Sequence, residues 1–424
     1  MKIDVRGLNR RYAPWIVWTF RIVVGCVFVM SGFVKSVDIW GFIYKVEEYL
    51  AVWHIPVSRE LVLAGTTLLS GTEYVLGGLL LMGCYRRVAP WLLGAMMAFM
   101  LPLSAYIAVA DPVSDCGCFG DFWVISNTAT FVKNIFLTLA ILYLVFFNKR
   151  VKGLFSPYAQ WMPGAVLTLF ILVVTVAGYT VQPLLDFRRF TEGVSLVEDE
   201  DDSEAENAVY EFIYERGGER HGFTVDALPD STWTFVERRL VSGSESVKDG
   251  FLVFDGDTDV TADYISDSGE QLLVVSPEPQ RMGHVYDLTI ERLATAVNER
   301  GGSLLLILAG DDGLVSHWGE MSDAEYDILK AEPTLIKELA RGNGALVALN
   351  DGRVQWKRTL TSLPANDDWM SNPVAILRPN LHGALIWIAS AQLVLLLAAF
   401  ILDRFFSFIF TIKNNTDEKP PEKE

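Results

Sequence analysis

The chain has 424 residues, 51% of them hydrophobic, and a formal net charge of −17 at pH 7. This composition argues against a single water-soluble domain, and the acidity argues against binding to nucleic acid. Residues 181–380 carry 38 acidic and 17 basic residues, so the acidity belongs to that segment.

Six apolar stretches are each about 20 residues long, the length that a helix needs to cross a bilayer. The first lacks a small-residue cleavage site, so we expect it to be retained rather than removed as a signal peptide. We expect the first four to pack as a four-helix bundle, because most of their connections are short. The stretches are Ala13 to Val34, Leu61 to Met82, Ala89 to Ala110, Thr128 to Phe147, Met162 to Val181 and His382 to Leu402.

Basic residues in the short loops indicate the orientation, because lysine and arginine accumulate on the cytoplasmic side of membrane proteins. The groups are Arg6, Arg10 and Arg11, then Arg86 and Arg87, then Lys149, Arg150 and Lys152. All of them fall on one face of the predicted topology. The pattern predicts a multi-pass protein of the bacterial inner membrane with both termini cytoplasmic and the acidic segment periplasmic.

The loop at residues 35–60 has apolar residues at helical spacing, namely Ile39, Ile43, Val46 and Leu50. We predict a helix here. It either lies along the outer membrane surface or packs on the bundle.

Beyond the fifth span, the acidic stretch "LVEDEDDSEAENA" predicts a solvated linker. The segments "EQLLVVS" and "SLLLILAG" predict strands, and "ALVALNDGRVQWKR" predicts a hairpin that turns at Asp351 and Gly352. Helical periodicity is expected in "DLTIERLATAVNERGG", "DAEYDILK" and "EPTLIKELARGN". This order of elements is typical of an α/β thioredoxin-like domain.

The predicted fold class is therefore an α-helical membrane protein with an α/β soluble domain. Its units are a four-helix bundle in 1–150, a fifth helix in 151–185, an acidic linker in 186–207, a thioredoxin-like domain in 208–378, a sixth helix in 379–404 and a cytoplasmic tail in 405–424.

Cys116 and Cys118 form a Cys-x-Cys pair in the loop between the third and fourth spans. A disulfide across so short a loop contributes little to stability, and its small, strained ring is easily reduced. A pair that exchanges electrons is therefore the favoured interpretation. The alternatives are a passive turn disulfide, or metal ligands, although neither histidine nor another cysteine stands at zinc spacing.

Ionisable side chains inside the apolar spans are costly and call for partners. Arg21 and Glu73 are expected at similar depth, so the sequence predicts either an ion pair between helices or a polar pocket for a quinone headgroup. Lys133 and Lys35 lie near the outer surface. They either reach toward the interface or favour the thiolate form of nearby cysteines.

The remaining cysteines are Cys26 and Cys84. Cys26 is either a small core residue or a third thiol facing the pair, and Cys84 is expected to be inert at the cytoplasmic end. The soluble domain contains no cysteine, so it cannot exchange thiols by itself and is expected to bind or position a partner. The histidines are scattered, and no metal site is predicted.

Three stretches resemble the DoxX/MauE group of redox-associated bacterial membrane proteins: "RIVVGCVFVMSGFVKSVD", "SGTEYVLGGLLLMGCYRR" and "DCGCFGDFWVISNTATFVKNIFL". The likeness extends from Arg11 to Arg150 and implies a four-helix core. The motif positions that it implies are Arg21, Lys35, Glu73, Cys116, Cys118 and Lys133. It also implies periplasmic disulfide handling linked to methylamine metabolism, and in the wider group quinone-linked sulfur oxidation. The remainder resembles an extended form with a thioredoxin-like periplasmic domain.

Two functions follow from these patterns. In the first, Cys116 and Cys118, assisted by Lys133, exchange electrons with a periplasmic thiol protein, and quinone is coupled through Arg21 and Glu73. In the second, the protein is a non-enzymatic scaffold that docks envelope or secretion proteins. Membrane lipid is the other expected partner.

Overall fold

The computed structural model describes residues 5–111, 113, 116–196, 209–216, 219–223, 234–242, 250–322 and 326–417. The first part of the chain is helical. Its helices are α1 (Val5–Val37), α2 (Ile39–Val52), α3 (Arg59–Leu81), α4 (Val88–Ala110), α5 (Asn127–Phe147) and α6 (Trp161–Thr180).

The second part is an α/β region. Its strands are β1 (Val209–Arg216), β2 (Glu219–Phe223), β3 (Thr234–Ser242), β4 (Phe254–Asp255), β5 (Thr258–Asp259), β6 (Glu270–Ser276), β7 (Ser303–Leu308), β8 (Asp327–Lys330), β9 (Ala345–Asn350) and β10 (Arg353–Thr359). Its helices are α7 (Thr261–Tyr264), α8 (Pro279–Met282), α9 (Asp287–Asn298), α10 (Asp312–Ser322), α11 (Pro333–Leu339) and α12 (Pro373–Ile376). The chain then continues into the long helix α13 (Leu381–Asp417).

Five helices of the described residues are long and apolar enough to cross a membrane: Pro14–Val37, Val88–Ala110, Asn127–Phe147, Trp161–Thr180 and Pro373–Ile409. The protein is therefore a multi-pass membrane protein. The predicted second span forms as α3, but this helix is not among the five, because Glu73 and several glycine, serine and threonine residues lower its hydropathy.

The helices α1, α3, α4 and α5 pack around a shared apolar core that includes Val24, Leu80, Leu93 and Leu144. α1 and α3 cross closely. A Cβ atom added at Gly32 would lie 2.5 Å from the backbone nitrogen of Tyr74, so a larger residue there would force the helices apart. Small residues allow such close crossings in membrane proteins, where packing rather than the hydrophobic effect drives association.

The predicted helix in the first loop is α2, and it packs on the bundle. Ile39, Trp40 and Ile43 on its inner face are buried. The indole of Trp40 stacks on Tyr179 near the end of α6, with ring centroids 4.8 Å apart. Of the two alternatives for this loop, the structure supports the packed helix.

The α/β region contains a seven-stranded mixed sheet in the order β10-β9-β6-β7-β8-β4-β5. Strands β6, β7 and β8 are parallel, and β9 runs antiparallel to β6. Because both faces of the sheet are covered, its central strands are nearly uniform apolar runs. β6 and β7, for example, are buried along almost their whole length.

Most of the elements predicted for this sheet are confirmed: β6, β7, α9, α11 and the β9–β10 hairpin all form. The hairpin turns at Asp351 and Gly352, both with positive φ, as a tight turn requires. The helix predicted in "DAEYDILK" is wrong. Its described residues include β8, which pairs in parallel with β7.

Two predicted boundaries are also wrong. Residues 186–196, predicted as linker, pack on the sheet, where Phe190 and Leu196 are buried in its core. The remainder of the linker, 197–207, lies outside the described residues. The predicted tail begins at 405, but α13 continues to Asp417.

A separate antiparallel sheet, in the order β2-β1-β3, precedes the seven-stranded one in the chain. This sheet was not predicted from the sequence.

Candidate functional site

The cysteine pair lies in the loop between α4 and α5, which is tied together at its base. Asp111 ends α4 in the left-handed conformation. Asn127, the first residue of α5, donates hydrogen bonds to the Asp111 carboxylate at 2.7 Å and to the carbonyl of Val113 at 2.9 Å. These contacts fix the two ends of the loop and hence the position of the cysteines.

Cys116 and Cys118 are both half-buried free thiols, and their sulfur atoms are 3.0 Å apart. Gly117 between them has a φ of +65°, and a Cβ atom at this position would lie 2.7 Å from the Lys45 side chain. Glycine is therefore required both by the turn and by the close approach of α2. The turn brings the two sulfurs close enough to form a bond with little movement.

An ion pair between α1 and α3 lies directly beneath the loop. The ammonium group of Lys35 is 2.9 Å from both carboxylate oxygens of Glu73, and both side chains are about 5% exposed. The Ser31 hydroxyl lies 2.8 Å from Glu73 and 2.9 Å from the carbonyl oxygen of Cys118. A short polar chain thus connects Lys35 to the cysteine loop.

The second ammonium group beside the pair belongs to Lys133 of α5. Its nitrogen lies over the ring of Phe119, 4.6 Å from the ring centroid. Phe119 directly follows Cys118 in the chain. The predicted proximity of Lys133 to the thiols is therefore seen in the structure. Lys35 does not extend to the interface, because its ammonium group is held by Glu73.

These surroundings make the two thiols unequal. The hydrogen bond from Cys116, together with the positive charges of Lys133 and Lys35, outweighs burial and lowers the pKa of Cys118 to about 6. The same hydrogen bond, with burial, raises the pKa of Cys116. The direction of these shifts favours Cys118 as the thiolate and Cys116 as the hydrogen-bond donor, and the thiolate is the form that attacks disulfides.

A small cavity of about 40 Å³ lies inside the bundle below Cys118, lined also by Lys35, Glu73 and Lys133. Ligand pockets usually have volumes of roughly 300–1,000 Å³, whereas a water molecule needs only about 30 Å³. The cavity fits a water molecule but not a quinone ring.

The predicted ion pair between Arg21 and Glu73 is wrong. The Arg21 guanidinium donates to the carbonyl oxygens of Asn148 at 2.7 Å and Val151 at 3.0 Å, at the other end of the bundle. Arg21 and Lys35 are fourteen residues apart on α1, which corresponds to roughly 21 Å along the helix. Arg21 ties together the turns at that end, and Lys35 is the partner of Glu73.

The other two cysteines are not part of the site. Cys26 is exposed on the side of α1, so the expectation of a small core residue is wrong. It is also not among the residues that line the cavity below Cys118. Cys84 is buried just beyond α3, and burial raises its pKa to about 12. The expectation of an unreactive thiol at this position is consistent with that shift.

The soluble domain contacts the cysteine loop through Arg341. Its guanidinium lies 2.7 Å from the carboxylate of Asp38, the residue that caps α2, and it also binds the carboxylate of Asp121 in the loop. Burial would raise the pKa of Asp38, but the charge of Arg341 holds it below its usual range. We call these three residues the Arg341 clamp.

Residues 13–147 match the family model described as methylamine utilisation protein MauE. This part of the chain belongs to the MauE family. Residues 208–241 match the model of a domain of unknown function, DUF8463, which covers most of the three-stranded sheet. No curated protein and no solved structure matches the chain.

Several residues that hold the site together were not predicted from the sequence, namely Ser31, Asp38, Tyr49 and Asp121. Ser31 could have been found, because it stands one turn before Lys35 and therefore on the same face of α1. Tyr49, which belongs to α2, donates a hydrogen bond to the carbonyl oxygen of Cys116 at 3.2 Å. No sequence pattern indicated a role for Asp38 or Asp121, since their partner Arg341 is far away in the chain.

Replacing Arg341 with glutamine is expected to loosen the cysteine loop of the MauE-family bundle. The substitution leaves the buried Asp38 carboxylate without its cation, and breaking such a pair typically costs about 3–5 kcal/mol. Hydrogen–deuterium exchange should rise in residues 116–123 of the full-length protein. Arg300→Gln is the control, because Arg300 forms a more exposed pair with Glu270 on the sheet. Equal exchange in both variants would show that the clamp does not hold the loop.

Proposed function

We propose that this MauE-family protein carries out thiol–disulfide exchange at the periplasmic surface of the inner membrane, with Cys116 and Cys118 as the exchanging pair. The observation that carries the proposal is the arrangement of the two sulfurs. They are 3.0 Å apart, and the pKa of Cys118 is lowered to about 6 beside two ammonium groups. A purely structural cysteine needs neither a nearby thiol nor a stabilised thiolate.

The exchange proceeds in two steps. The Cys118 thiolate attacks a disulfide of the partner protein, forming a mixed disulfide and releasing one partner thiolate. Cys116 then loses its proton and attacks the Cys118 sulfur. This forms the Cys116–Cys118 disulfide and releases the second partner thiolate, so the partner is reduced by two electrons. The reverse sequence oxidises a partner dithiol.

The buried ion pair beneath the loop has a positioning role in this proposal. Glu73 fixes the ammonium group of Lys35, and Ser31 links the carboxylate to the Cys118 carbonyl. Because the ion pair is buried, its geometry is rigid. The charge of Lys35 therefore acts on Cys118 with little screening, while the Glu73 carboxylate opposes it. Lys133 contributes the second positive charge from the opposite helix.

The soluble domain is proposed to be a thioredoxin-like module that positions the partner. The order β10-β9-β6-β7, with α9 connecting the parallel pair, supports this interpretation. The turn after β6, where an active thioredoxin domain carries two cysteines, contains Glu278 instead. Glu278 binds Arg59 at the start of α3 at 2.6 Å. This edge of the domain therefore faces the bundle, where the Cys-x-Cys loop supplies the missing thiols.

The proposed location is the bacterial inner membrane, with the cysteines and the soluble domain on the periplasmic side. Arg86 contacts the carbonyl of Lys149 at the end of the bundle opposite the soluble domain, so these basic loops share one face. That distribution supports a cytoplasmic assignment for this face. Periplasmic thiols are commonly oxidised, which provides disulfides for exchange.

The proposed partners are periplasmic proteins that carry cysteines or disulfides. The family description links MauE to methylamine utilisation, so disulfide-bearing proteins of that process are the first to examine. The scaffold alternative also has an observation in its favour, since the soluble domain lacks cysteine and is held on the bundle by the Arg341 clamp.

Trapping the mixed disulfide distinguishes the two functions. In native membranes, Cys116→Ser should accumulate a disulfide-linked complex, because the thiol that resolves the intermediate is missing. Non-reducing electrophoresis followed by mass spectrometry identifies the partner. Cys26→Ser is the matched control and should show no complex. If neither Cys116→Ser nor Cys118→Ser traps a partner while both retain cellular function, the scaffold is correct.

A further inference from the structure

A second, larger cavity of about 680 Å³ lies where the soluble domain meets the membrane helices. Three segments enclose it: residues 182–192 after α6, the strand β10, and the chain that enters α13. This volume is within the usual range for small-molecule sites. Neither the exchange chemistry nor the family description accounts for it.

Two buried cations share one carboxylate in the wall of the cavity. Arg188 and Lys357 both bind the same carboxylate, that of Asp186, with distances of 2.7 Å and 2.8 Å. Both cations are about 6% exposed. Burial together with the charge of Arg188 lowers the pKa of Lys357 to about 7, although Asp186 opposes this shift. An anion in the cavity would add a second negative charge beside Lys357 and favour its charged form.

The rim adds an ion pair and a histidine. Arg378 binds Glu192 across the opening, and His382 lies in the first turn of α13. Apolar side chains stand beside these groups, including Leu184 and Leu381, which pack against the membrane helices. The lining therefore suits a ligand that joins an anionic group to an apolar one.

The position of the cavity identifies the source of this ligand. Its lining begins at Gln182, two residues after α6 ends, and includes Leu381, the first residue of α13. Two residues span at most roughly 7 Å, and the headgroup layer on each side of a bilayer is about 5–7 Å thick. The cavity thus lies at the level of the lipid headgroups.

We propose that this cavity binds the phosphate of an anionic phospholipid, with Lys357 and Arg378 as its principal contacts and the acyl chains beside α13. A bound lipid would hold the soluble domain against the membrane next to the cysteine loop. The proposal does not depend on thiol exchange, because its residues are separate from Cys116 and Cys118.

The test uses the delipidated full-length protein in detergent and native mass spectrometry. We expect one tightly held phosphatidylglycerol per chain, bound at least about tenfold more tightly than phosphatidylcholine and not displaced by excess inorganic phosphate. Lys357→Gln and the more exposed Arg378→Gln should each weaken binding by about tenfold. Arg404→Gln, at the other end of α13, should leave it unchanged.

Other outcomes overturn the proposal. Equal binding of the two lipids would remove the role of charge, and displacement by inorganic phosphate would assign the cavity to a soluble anion. Binding that neither Lys357→Gln nor Arg378→Gln weakens would place the lipid elsewhere. Arg378→Gln keeps the test decisive if Lys357→Gln fails to fold, because Arg378 is 56% exposed at the rim.

Discussion

Replacing Glu73 with glutamine is expected to destabilise the protein by about 3–5 kcal/mol. The substitution leaves the ammonium group of Lys35 buried, 5% exposed, without a counter-charge in the core of the bundle. An apolar double replacement, Lys35→Met with Glu73→Leu, should recover much of the loss, because it removes both buried charges together.

Denaturant unfolding of the purified protein in detergent micelles measures this effect. Glu48→Gln is the matched control, since Glu48 forms an exposed pair with Lys45, and such pairs contribute about 1 kcal/mol or less. A Glu73→Gln variant that is as stable as Glu48→Gln would contradict the assigned ion pair. It would also remove the support that this pair gives to the cysteine loop.

Cys118 is expected to be alkylated with a pH midpoint of about 6, well below the value of about 8.5 for an ordinary thiol. Because the hydrogen bond from Cys116 is the largest cause of the shift, Cys116→Ala, which has no donor, should move the midpoint upward toward the ordinary value. Lys133→Met should move it in the same direction. The rate of iodoacetamide labelling of the Cys118 peptide, measured by mass spectrometry across pH, reports the midpoint.

Lys149→Gln controls for a general effect of lost positive charge, because Lys149 is an exposed residue after α5, at the opposite end of the bundle. It should leave the midpoint near 6. A wild-type midpoint at or above that of a free thiol would show that Cys118 is not a stabilised thiolate, and the exchange mechanism would lose its nucleophile.

The sequence predicted the membrane helices well, because the thickness of the bilayer requires about 20 apolar residues per span. The strands β6 and β7 were also predictable, since a short, continuous apolar run between turn residues is typical of a buried strand. "DAEYDILK" was not. Its short pattern fits a helix, but parallel pairing with β7 makes Asp327–Lys330 a strand. Tertiary contacts often override such local preferences.

The candidate site was predictable in part. Cys116, Cys118 and Lys133 are close in the chain on either side of one helix end, so their proximity could be inferred. The partner of Glu73 could not. A depth estimate along each helix does not give the rotation of the helix or the direction of a long side chain, and Arg21 extends to the opposite end from Lys35. Arg341 could not be found either, because its partners belong to a different domain.

The redox state of Cys116 and Cys118 in native membranes tests the central claim most directly. Free thiols are blocked in intact cells, disulfides are then reduced and labelled with a second reagent, and both forms of the loop peptide are quantified by mass spectrometry. We predict that both forms are present and that the ratio changes reversibly when cells are treated with a thiol reductant and then returned to oxidising medium. A pair that remains in one form under all of these conditions would contradict the exchange function.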